Sequence, residues 1–549
     1  MNAQRDAIGL NGTWAFAWLG DAVLSDVPTD SLVFDETMPV PGCFDAMPRY
    51  LGRRGVAAYR REIAGAAGRR SRLRLDGVHH TCRVVLNGRT VGTHHGGFVP
   101  VCIDLGVLDD RPHDLVVLVD NRFDSVSSPL HCEYFDWYHH GGITRGVWLE
   151  HLPDAYVERI EVHTLDHRSK AVRVSLHTAG QGEGDWSLSL AGVARGGGRC
   201  TAGDRIDCEF RADDLGLWSC ETPTLHALTA AFGDDRVALQ TGLRTIAVDG
   251  SELLLNGEPI RLHGVCRHEL HPISGHAASP LQLQQDIDLL RELGANFVRG
   301  SHYPQHPAFL ELCDRNGILV WSEGIAWQPR VEHLTDAGFL AAHDRHLDAM
   351  VHAAQHHPCI VMWGLFNEGD SDAEAAVPAY EAGLARLRDL DGSRPVTYAT
   401  HRPFSDRCFA LADVIAVNTY PGWYGSSIDQ ASEQLDAIAD EFDRHPEARG
   451  KPRIVSEIGA GAIYGWRDPH GARWSEAYQA RLLGTVLPAL CDPAGRWNGV
   501  SIWQFSDVRT SEAVAKALNR PRGFNNKGLV DEYRRKKDAF AVVARAFRS

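Results

Sequence analysis

Two glutamates in the second half of the chain stand where apolar, strand-like runs end. Glu368 follows Asn367 at the end of the run 360–366, and Glu457 follows the run 453–456. Glycosidic bonds are cleaved by two carboxyl groups, one protonated to donate to the leaving oxygen and one ionised to attack or assist. The two glutamates, Glu368 and Glu457, are therefore candidate catalytic residues for glycoside hydrolysis.

The elements that must position these glutamates alternate in type from residue 248 onwards. Strand-like runs, separated by helical patterns, are predicted at 259–264, 295–299, 318–321, 360–363, 396–398, 414–417, 453–455 and 500–503. Ser279-Pro280 is typical of a helix start, and Gly294 of the end of that helix. Eight such units predict a (β/α)8 TIM barrel, whose catalytic groups gather at the C-terminal ends of the strands.

The same ends of the predicted strands carry side chains that can hold a sugar. The substrate-binding candidates among them are His302, Asn367, Asn418, Tyr420, Tyr424 and Trp503. Asn367 can hydrogen-bond the sugar 2-hydroxyl, a contact that strengthens in the transition state of glycoside hydrolysis. The aromatic rings offer surfaces on which the faces of a sugar can stack.

The first 247 residues have a different character. Short alternating segments are broken by Gly, Pro, Asn and Asp, and Asn87-Gly88 is a strong signal for a β-hairpin. We expect a β-sandwich over residues 1–153, an immunoglobulin-like β-sandwich over 154–247, and the catalytic barrel over 248–549. The fold class is thus multidomain, with two β-sandwiches and one (β/α)8 barrel.

Charge and composition exclude several classes of partner. The net charge is −15, so neither nucleic acid nor an anionic membrane surface is an expected partner. The basic run 534–537 is flanked by acidic residues, and we interpret it as a solvated helix start. No stretch approaches 18 consecutive apolar residues, so no membrane span is predicted.

The cysteines and the first residues bear on the compartment. Twelve cysteines form no C-x-x-C pair and no spaced His/Cys cluster, which leaves a disulfide framework or a structural zinc site unsupported. The first residues lack the apolar stretch of a signal peptide. The expected location is therefore the cytoplasm.

Several short motifs, spread along the whole chain, resemble those of glycoside hydrolase family 2. They are Leu10-Asn11-Gly12-x-Trp14, Gly142-Ile143-x-Arg145, Gly264-Val265-x-Arg267-His268-Glu269, Arg299-x-Ser301-His302-Tyr303-Pro304, His357-Pro358, Trp363-Gly364-Leu365-Phe366-Asn367-Glu368 and Ile454-Val455-Ser456-Glu457. The resemblance implies a sugar-binding jelly roll as the first sandwich. It also implies Glu368 as acid/base and Glu457 as the nucleophile of a retaining enzyme.

The C-terminal segment bears on which sugar is cleaved. Asn525 and Lys527 match the Asn-x-Lys motif of the family's β-glucuronidases, where the pair binds the carboxylate of the sugar. An ammonium beside an amide donor stabilises an anion, whereas a neutral sugar would leave that charge unpaired. Asp136 matches a substrate-contacting aspartate of the first domain. Because Glu323 is followed by Gly-Ile-Ala-Trp, the magnesium-site histidine of the family's β-galactosidases is missing, and no catalytic metal or other cofactor is expected.

Three interpretations remain open from the sequence. The preferred one is an exo-acting, retaining β-glycosidase that hydrolyses small-molecule β-D-glucuronides or close β-uronides. The alternatives are a β-galactosidase or another neutral-sugar glycosidase of the family, and a non-catalytic carbohydrate-binding protein. The resemblance further implies a homo-oligomer.

Overall fold

The first part of the chain is an antiparallel β-sandwich. The computed structural model describes residues 5, 7–66, 68–124, 130–132, 134–511 and 519–548. The strands of this sandwich are β1 (Ala7–Gly9), β2 (Gly12–Gly20), β3 (Glu36–Val40), β4 (Val56–Ala64), β5 (Arg70–Leu75), β6 (Val78–His79), β7 (Thr81–Leu86), β8 (Arg89–His95), β9 (Val101–Val107), β10 (Pro112–Asp120), β11 (Gly142–Ile143) and β12 (Val147–Leu152). A six-stranded sheet in the order β3-β2-β4-β10-β7-β8 faces a four-stranded one in the order β1-β12-β5-β9, with an apolar core between them. The predicted hairpin is confirmed, since Asn87 and Gly88 turn β7 into β8 with φ of 49° and 76°.

A second, smaller β-sandwich follows. Its strands are β13 (Ala155–Asp166), β14 (Ala171–Gly180), β15 (Glu183–Leu190), β16 (Val193–Thr201), β17 (Arg205–Arg211), β18 (His226–Phe232) and β19 (Asp235–Thr241). They form sheets in the orders β13-β14-β17 and β16-β15-β18-β19 around their own core. A three-stranded sheet, β20 (Ile246–Asp249), β21 (Glu252–Leu255) and β22 (Glu258–Pro259), leads on to the barrel. The boundaries at 153 and 247 stay predictions.

The predicted barrel is confirmed as a closed ring of eight parallel strands. They are β23 (Leu262–Cys266), β24 (Phe297–Gly300), β25 (Leu319–Glu323), β26 (Ile360–Asn367), β27 (Val396–Thr400), β28 (Ile415–Asn418), β29 (Arg453–Ile458) and β30 (Gly499–Ile502). All eight predicted strands are present, shifted by a few residues at their ends. Nearly every residue of these strands is buried, because side chains fill the ring inside and helices cover it outside.

The described residues form eight α-helices. They are α1 (Pro280–Leu293), α2 (Pro307–Asn316), α3 (Val331–Leu334), α4 (Ala337–Ala354), α5 (Val377–Leu390), α6 (Ala431–Arg444), α7 (Glu476–Leu490) and α8 (Asp538–Ala546). The start of α1 is as predicted: Ser279 caps it, Pro280 opens it, and Gly294 closes it at φ 80°. No helix among the described residues is long and apolar enough to cross a membrane.

The motif Gly142-Ile143-x-Arg145 joins the first sandwich to the barrel. Arg145 is buried and donates to the carboxylate of Glu269 at 2.9 Å and to the carbonyl of Phe98 at 2.7 Å. Removing the charge on either side of such a buried pair is costly, so the contact fixes the sandwich against the barrel. The loop that carries Asp136 is thereby held over the mouth of the barrel.

The interpretation of the basic run as a solvated helix start is wrong for half of its members. Arg534 and Lys537 are buried, and each pairs with a buried carboxylate: Arg534 with Asp286 at 2.8 Å and Lys537 with Asp507 at 2.7 Å. Their partners lie 248 and 30 residues away along the chain, beyond the reach of any local pattern. α8 begins only at Asp538.

Candidate active site

Arg299 is the centre of the hydrogen-bond network beneath the mouth of the barrel. It lies on β24, fully buried, and donates to Glu323 at 2.9 Å, to Glu457 at 2.8 Å and to the side-chain oxygen of Asn367 at 2.7 Å. Burial alone would lower the pKa of Arg299, but the carboxylates of Glu323 and Glu457 raise it. One permanent cation therefore ties together the ends of β24, β25, β26 and β29.

Glu457, at the end of β29, is buried and receives two strong donors. Besides the guanidinium of Arg299, the hydroxyl of Tyr420 donates to its Oε2 at 2.6 Å. Burial raises the pKa of Glu457 to about 8; the charge of Glu368 adds to this, while Arg299 and Tyr420 oppose it. Two carboxyl groups that influence each other in this way lose their protons in steps that belong to the pair.

Glu368, the residue after β26, faces the same pocket. Its backbone adopts φ 52°, a left-handed conformation that few non-glycine residues take and that turns the side chain out of the strand direction. The amide of Asn418 donates to its Oε1 at 2.9 Å, and the amide of Gln328 donates to its Oε2 at 2.8 Å. Each oxygen of this carboxylate is thus held by one neutral amide.

His302 and Trp503 form one wall beside Glu457. The His302 ring stacks on Trp503 with ring centroids 5.2 Å apart, and its Nδ1 lies 2.9 Å from Glu323. Its other nitrogen, Nε2, is 3.8 Å from Oε1 of Glu457. Burial lowers the pKa of His302, although the charge of Glu323 opposes this.

Asp136 reaches the pocket from the first sandwich, but a barrel loop already binds its carboxylate. Arg520 donates to both oxygens at 2.6 Å, and Asn525 donates from Nδ2 at 2.9 Å. Burial would raise the pKa of Asp136, yet the hydrogen bonds and charge of Arg520 lower it. In this structure Asp136 therefore holds the loop that carries Arg520 and Asn525 through hydrogen bonds.

Lys527 is a buried cation that has no carboxylate at salt-bridge distance among the described residues, although its charge is felt by the Asp136 carboxylate farther away. Only 2% of the residue is exposed, and its ammonium donates to the Tyr424 hydroxyl at 3.0 Å. The ring centroids of Tyr420, Trp423 and Tyr424 lie 5.3–5.9 Å from the nitrogen of this ammonium. Burial alone would raise the pKa of Tyr424, but the adjacent ammonium lowers it. The positive charge is met by π-faces and one hydroxyl, which leaves it free to bind an anion.

A buried ion pair anchors the segment of Asn525 and Lys527. The hairpin of β31 (Val508–Arg509) and β32 (Phe524–Asn525) begins this segment. Asp507 then accepts from the backbone of Gly528 at 2.9 Å and from Lys537 at 2.7 Å. Lys537 also donates to the carbonyl of Asn526 at 3.1 Å.

A pocket of about 810 Å³ lies at this mouth of the barrel. Of the candidates from the sequence, Asp136, His302, Glu368, Asn418, Tyr420, Tyr424, Glu457, Trp503 and Lys527 line it, while Asn367 and Asn525 are fully buried behind the lining. The pocket also contains residues that the sequence did not single out as site residues, among them Tyr134, Gln328, His401, Arg473 and Arg520. They lie in loops whose course no periodic pattern reveals.

One group outside this pocket has side chains of the types that bind metals. Asp314, His357 and Cys359 bring ligand atoms within 4.8 Å of one another, all fully buried. Both oxygens of Asp314 are occupied, one by His357 Nδ1 at 2.5 Å and one by the backbone of Cys359 at 3.0 Å. The cluster is satisfied as a hydrogen-bonded link between α2 and β26.

Comparisons with known proteins bear on the family and the fold of the chain. A family model, the TIM barrel domain of the glycosyl hydrolases of family 2, matches residues 246–543. The chain is 29% identical to a β-glucuronidase of Sus scrofa, over 98% of this chain and 89% of that protein. A β-galacturonidase of this family from Eisenbergiella tayi, solved with galacturonate, is 32% identical with a TM-score of 0.92, covering 100% of this chain and 98% of that one. A β-glucuronidase from Bifidobacterium dentium, solved with coumarin-3-O-glucuronide, is 26% identical with a TM-score of 0.90, at coverages of 100% and 98%.

Proposed function

Because the chain belongs to glycoside hydrolase family 2, we propose that it is a retaining, exo-acting β-glycosidase that removes terminal β-D-glucuronic acid or a closely related β-uronic acid. Hydrolysis of a glycosidic bond is the chemistry of the family. The relatives named above act on glucuronides or galacturonides, so the proposal covers both epimers at C4.

The observation that carries the proposal is the unpaired ammonium of Lys527 in the wall of the pocket. The aromatic rings and the Tyr424 hydroxyl replace only part of the hydration that this buried cation loses, and an anionic substrate group would supply a direct ion pair. A neutral sugar would leave this charge as it is, at a cost to binding. In the proposed complex the carboxylate of a uronic acid binds the Lys527 ammonium in the pocket wall, and Asn525, which lies directly behind the lining, completes the clamp.

In the proposed mechanism the shared proton of the two carboxyl groups resides on Glu368. Glu457 accepts from a guanidinium and a phenol, donors that favour the charged form, whereas Glu368 accepts only from neutral amides. Glu368 gives its proton to the glycosidic oxygen as the bond to the anomeric carbon breaks. Glu457 forms a bond to that carbon, and the leaving group departs as an alcohol.

The second half of the reaction reverses the role of Glu368. The carboxylate takes a proton from a water molecule, whose oxygen attacks the anomeric carbon and releases Glu457. Asn367, fixed by Arg299 at 2.7 Å, presents its amide to the sugar 2-hydroxyl. The enzyme returns to its starting protonation state, and the sugar keeps its β configuration.

The test compares nitrophenyl β-glucuronide, β-galacturonide and β-galactoside on the wild type and on Lys527→Met. The proposal expects a uronide to be preferred and the substitution to lower kcat/KM for that uronide by at least 100-fold, mostly through KM. Lys536→Met is the matched control, since Lys536 pairs with Glu292 at the surface. Preference for the galactoside, unchanged in Lys527→Met, would contradict the proposal and favour a neutral-sugar hydrolase.

The cytoplasmic location and the homo-oligomeric state complete the proposal as predictions from the sequence. Size-exclusion chromatography with light scattering would measure the oligomeric state directly.

A further inference from the structure

We propose that Gln328 is the positioning residue of the catalytic acid: it holds Oε2 of Glu368, the oxygen that carries the proton, where the leaving-group oxygen enters. The inference rests on the two-carboxylate mechanism of the proposed function, but not on which sugar is cleaved. Neither the motifs of the sequence nor the spacing of the strands singles out this residue.

The backbone fixes Gln328 against the strand that ends in the catalytic acid. The loop after β25 pairs with the end of β26 through a bridge between Trp327 and Asn367. The backbone N–H of Asn367 donates to the backbone carbonyl of Ala326 at 3.2 Å, and the backbone N–H of Gln328 donates to the backbone carbonyl of Asn367 at 2.6 Å. The backbone of Gln328 is thereby hydrogen-bonded directly to the residue that precedes Glu368.

Both residues have the same unusual backbone conformation. Gln328 has φ 53° and Glu368 has φ 52°, and neither is a glycine. Residues other than glycine disfavour the left-handed backbone region, so two such residues side by side persist only where the surrounding structure enforces this conformation. These two backbone conformations bring the side-chain nitrogen Nε2 of Gln328 to 2.8 Å from Oε2 of Glu368.

The other oxygen of the acid, Oε1 of Glu368, accepts from a side-chain amide that cannot flip. Asn418 donates from Nδ2 to Oε1 of Glu368 at 2.9 Å. Its Oδ1 accepts from the hydroxyl of Ser456 at 2.8 Å and lies 3.4 Å from a guanidinium nitrogen of Arg299. A flipped amide would place its NH2 group against these donors. Oε1 therefore always meets an N–H group, and the proton of Glu368 must sit on Oε2.

Gln328 is free to serve both states of that oxygen. It is half-buried at the edge of the pocket, and among the described residues its side chain bonds only to Glu368. Its Oε1 can accept from the protonated carboxyl before the reaction, and its NH2 can donate to the carboxylate afterwards. In between, the proton on Oε2 passes to the glycosidic oxygen, whose bond to the sugar breaks with the electron pair staying on that oxygen.

This role predicts a dependence on the leaving group. A dinitrophenolate departs without a proton, whereas a phenolate or alkoxide of high pKa needs one. Gln328→Met keeps the length of the side chain and removes the amide. We expect kcat/KM to fall 10- to 100-fold for the phenyl glycoside and less than 3-fold for the 2,4-dinitrophenyl glycoside of the same sugar.

The experiment measures both glycosides on the wild type, Gln328→Met and the control Gln284→Met. Gln284 makes the same bond, amide to carboxylate at 2.9 Å, with Asp288 on the surface of α1. Because each variant is judged by the ratio of its two substrates, loss of folded protein cancels. Equal losses on both glycosides, or no loss on either, would overturn the proposal.

The pH profile gives a second readout. Gln328 can bond both forms of the acid, but its bond to the charged carboxylate is the stronger one, so removing the amide makes Glu368 hold its proton to higher pH. The alkaline limb of kcat/KM for the phenyl glycoside should therefore move upward in Gln328→Met, and an unmoved limb would contradict the role. Both measurements use whichever sugar the wild type hydrolyses, so a failure of the uronide assignment would show separately, as activity on the galactoside.

Discussion

Asp136 of the first sandwich and Arg520 of the C-terminal loop form a two-bonded ion pair, both bonds 2.6 Å long, across one side of the sugar pocket. The pair joins two parts of the chain that are 384 residues apart. Since Asn525 also donates to Asp136, the first sandwich orders the loop that carries the proposed carboxylate clamp.

Arg520→Met should lower kcat/KM for the uronide by at least 10-fold, mainly by raising KM. The substitution leaves Asp136 as an unpaired anion beside the site proposed for the substrate carboxylate, and like charges repel. Adding Asp136→Asn removes that charge, so the double variant should recover part of the loss. Kinetics of the two single variants and the double variant measure this coupling; strictly additive losses would mean that the repulsion is absent.

The pH profile of the wild type should fall on its alkaline side near pH 8. Burial and the charge of Glu368 raise the pKa of Glu457 to about 8, and once Glu457 is ionised the site has lost the proton that the two carboxyl groups can share with the leaving group. Activity is thus expected below this pH and lost above it. Tyr420→Phe removes a donor that lowers the pKa of Glu457, so in this variant the alkaline limb should shift to higher pH. An alkaline limb that stays flat to pH 9.5 would contradict the assignment.

Breaking the buried pair of Asp507 and Lys537 should destabilise the protein and weaken substrate binding together. Lys537→Met leaves a fully buried carboxylate without its cation, which costs about 3–5 kcal/mol in comparable cases. The loop with Asn525 and Lys527 loses its anchor at the same time. Thermal unfolding and KM for the uronide measure the two effects, and Lys536→Met is the surface control. A lowered Tm with unchanged KM would separate Lys537 from the clamp.

Stability should also decline as the pH falls below about 6.5. His79, His80 and His139 are buried where the first sandwich meets the barrel. Burial, together with neighbouring imidazoles and the guanidinium of Arg54 or, for His79, of Arg145, holds their pKa values well below 6.5. Below pH 6.5 these three histidines bind protons in the unfolded chain but stay neutral in the native state. This stability is complete above pH 6.5 and lost below it, by about 1.4 kcal/mol per pH unit for each histidine.

Urea unfolding at pH 7.5, 6.5, 5.5 and 4.5 measures that dependence. His139→Gln should make it shallower, whereas His470→Gln, at an exposed position, should leave it as in the wild type. Equal stability from pH 7.5 to 4.5 would contradict the account of this cluster.

The sequence predicted the barrel and both glutamates because their signals are local. Apolar runs of fixed spacing define the strands, and the strand ends then place Glu368 and Glu457 at one mouth. Lys537 was misread because its flanking acids suggested a solvated surface, while its actual partner, Asp507, lies 30 residues away. Gln328 and Arg520 could not be predicted, since each acquires its role only when separate loops meet.

Trapping the covalent intermediate tests the central claim most directly. A 2-deoxy-2-fluoro-β-uronosyl fluoride slows both steps, and its fluoride leaves without help from an acid, so the glycosyl-enzyme should accumulate. The account predicts that peptide mass spectrometry finds one fluorouronosyl group, attached to Glu457, and none after reaction with the corresponding galactosyl fluoride. A label on Glu368, or labelling by the galactosyl reagent in place of the uronosyl one, would contradict it.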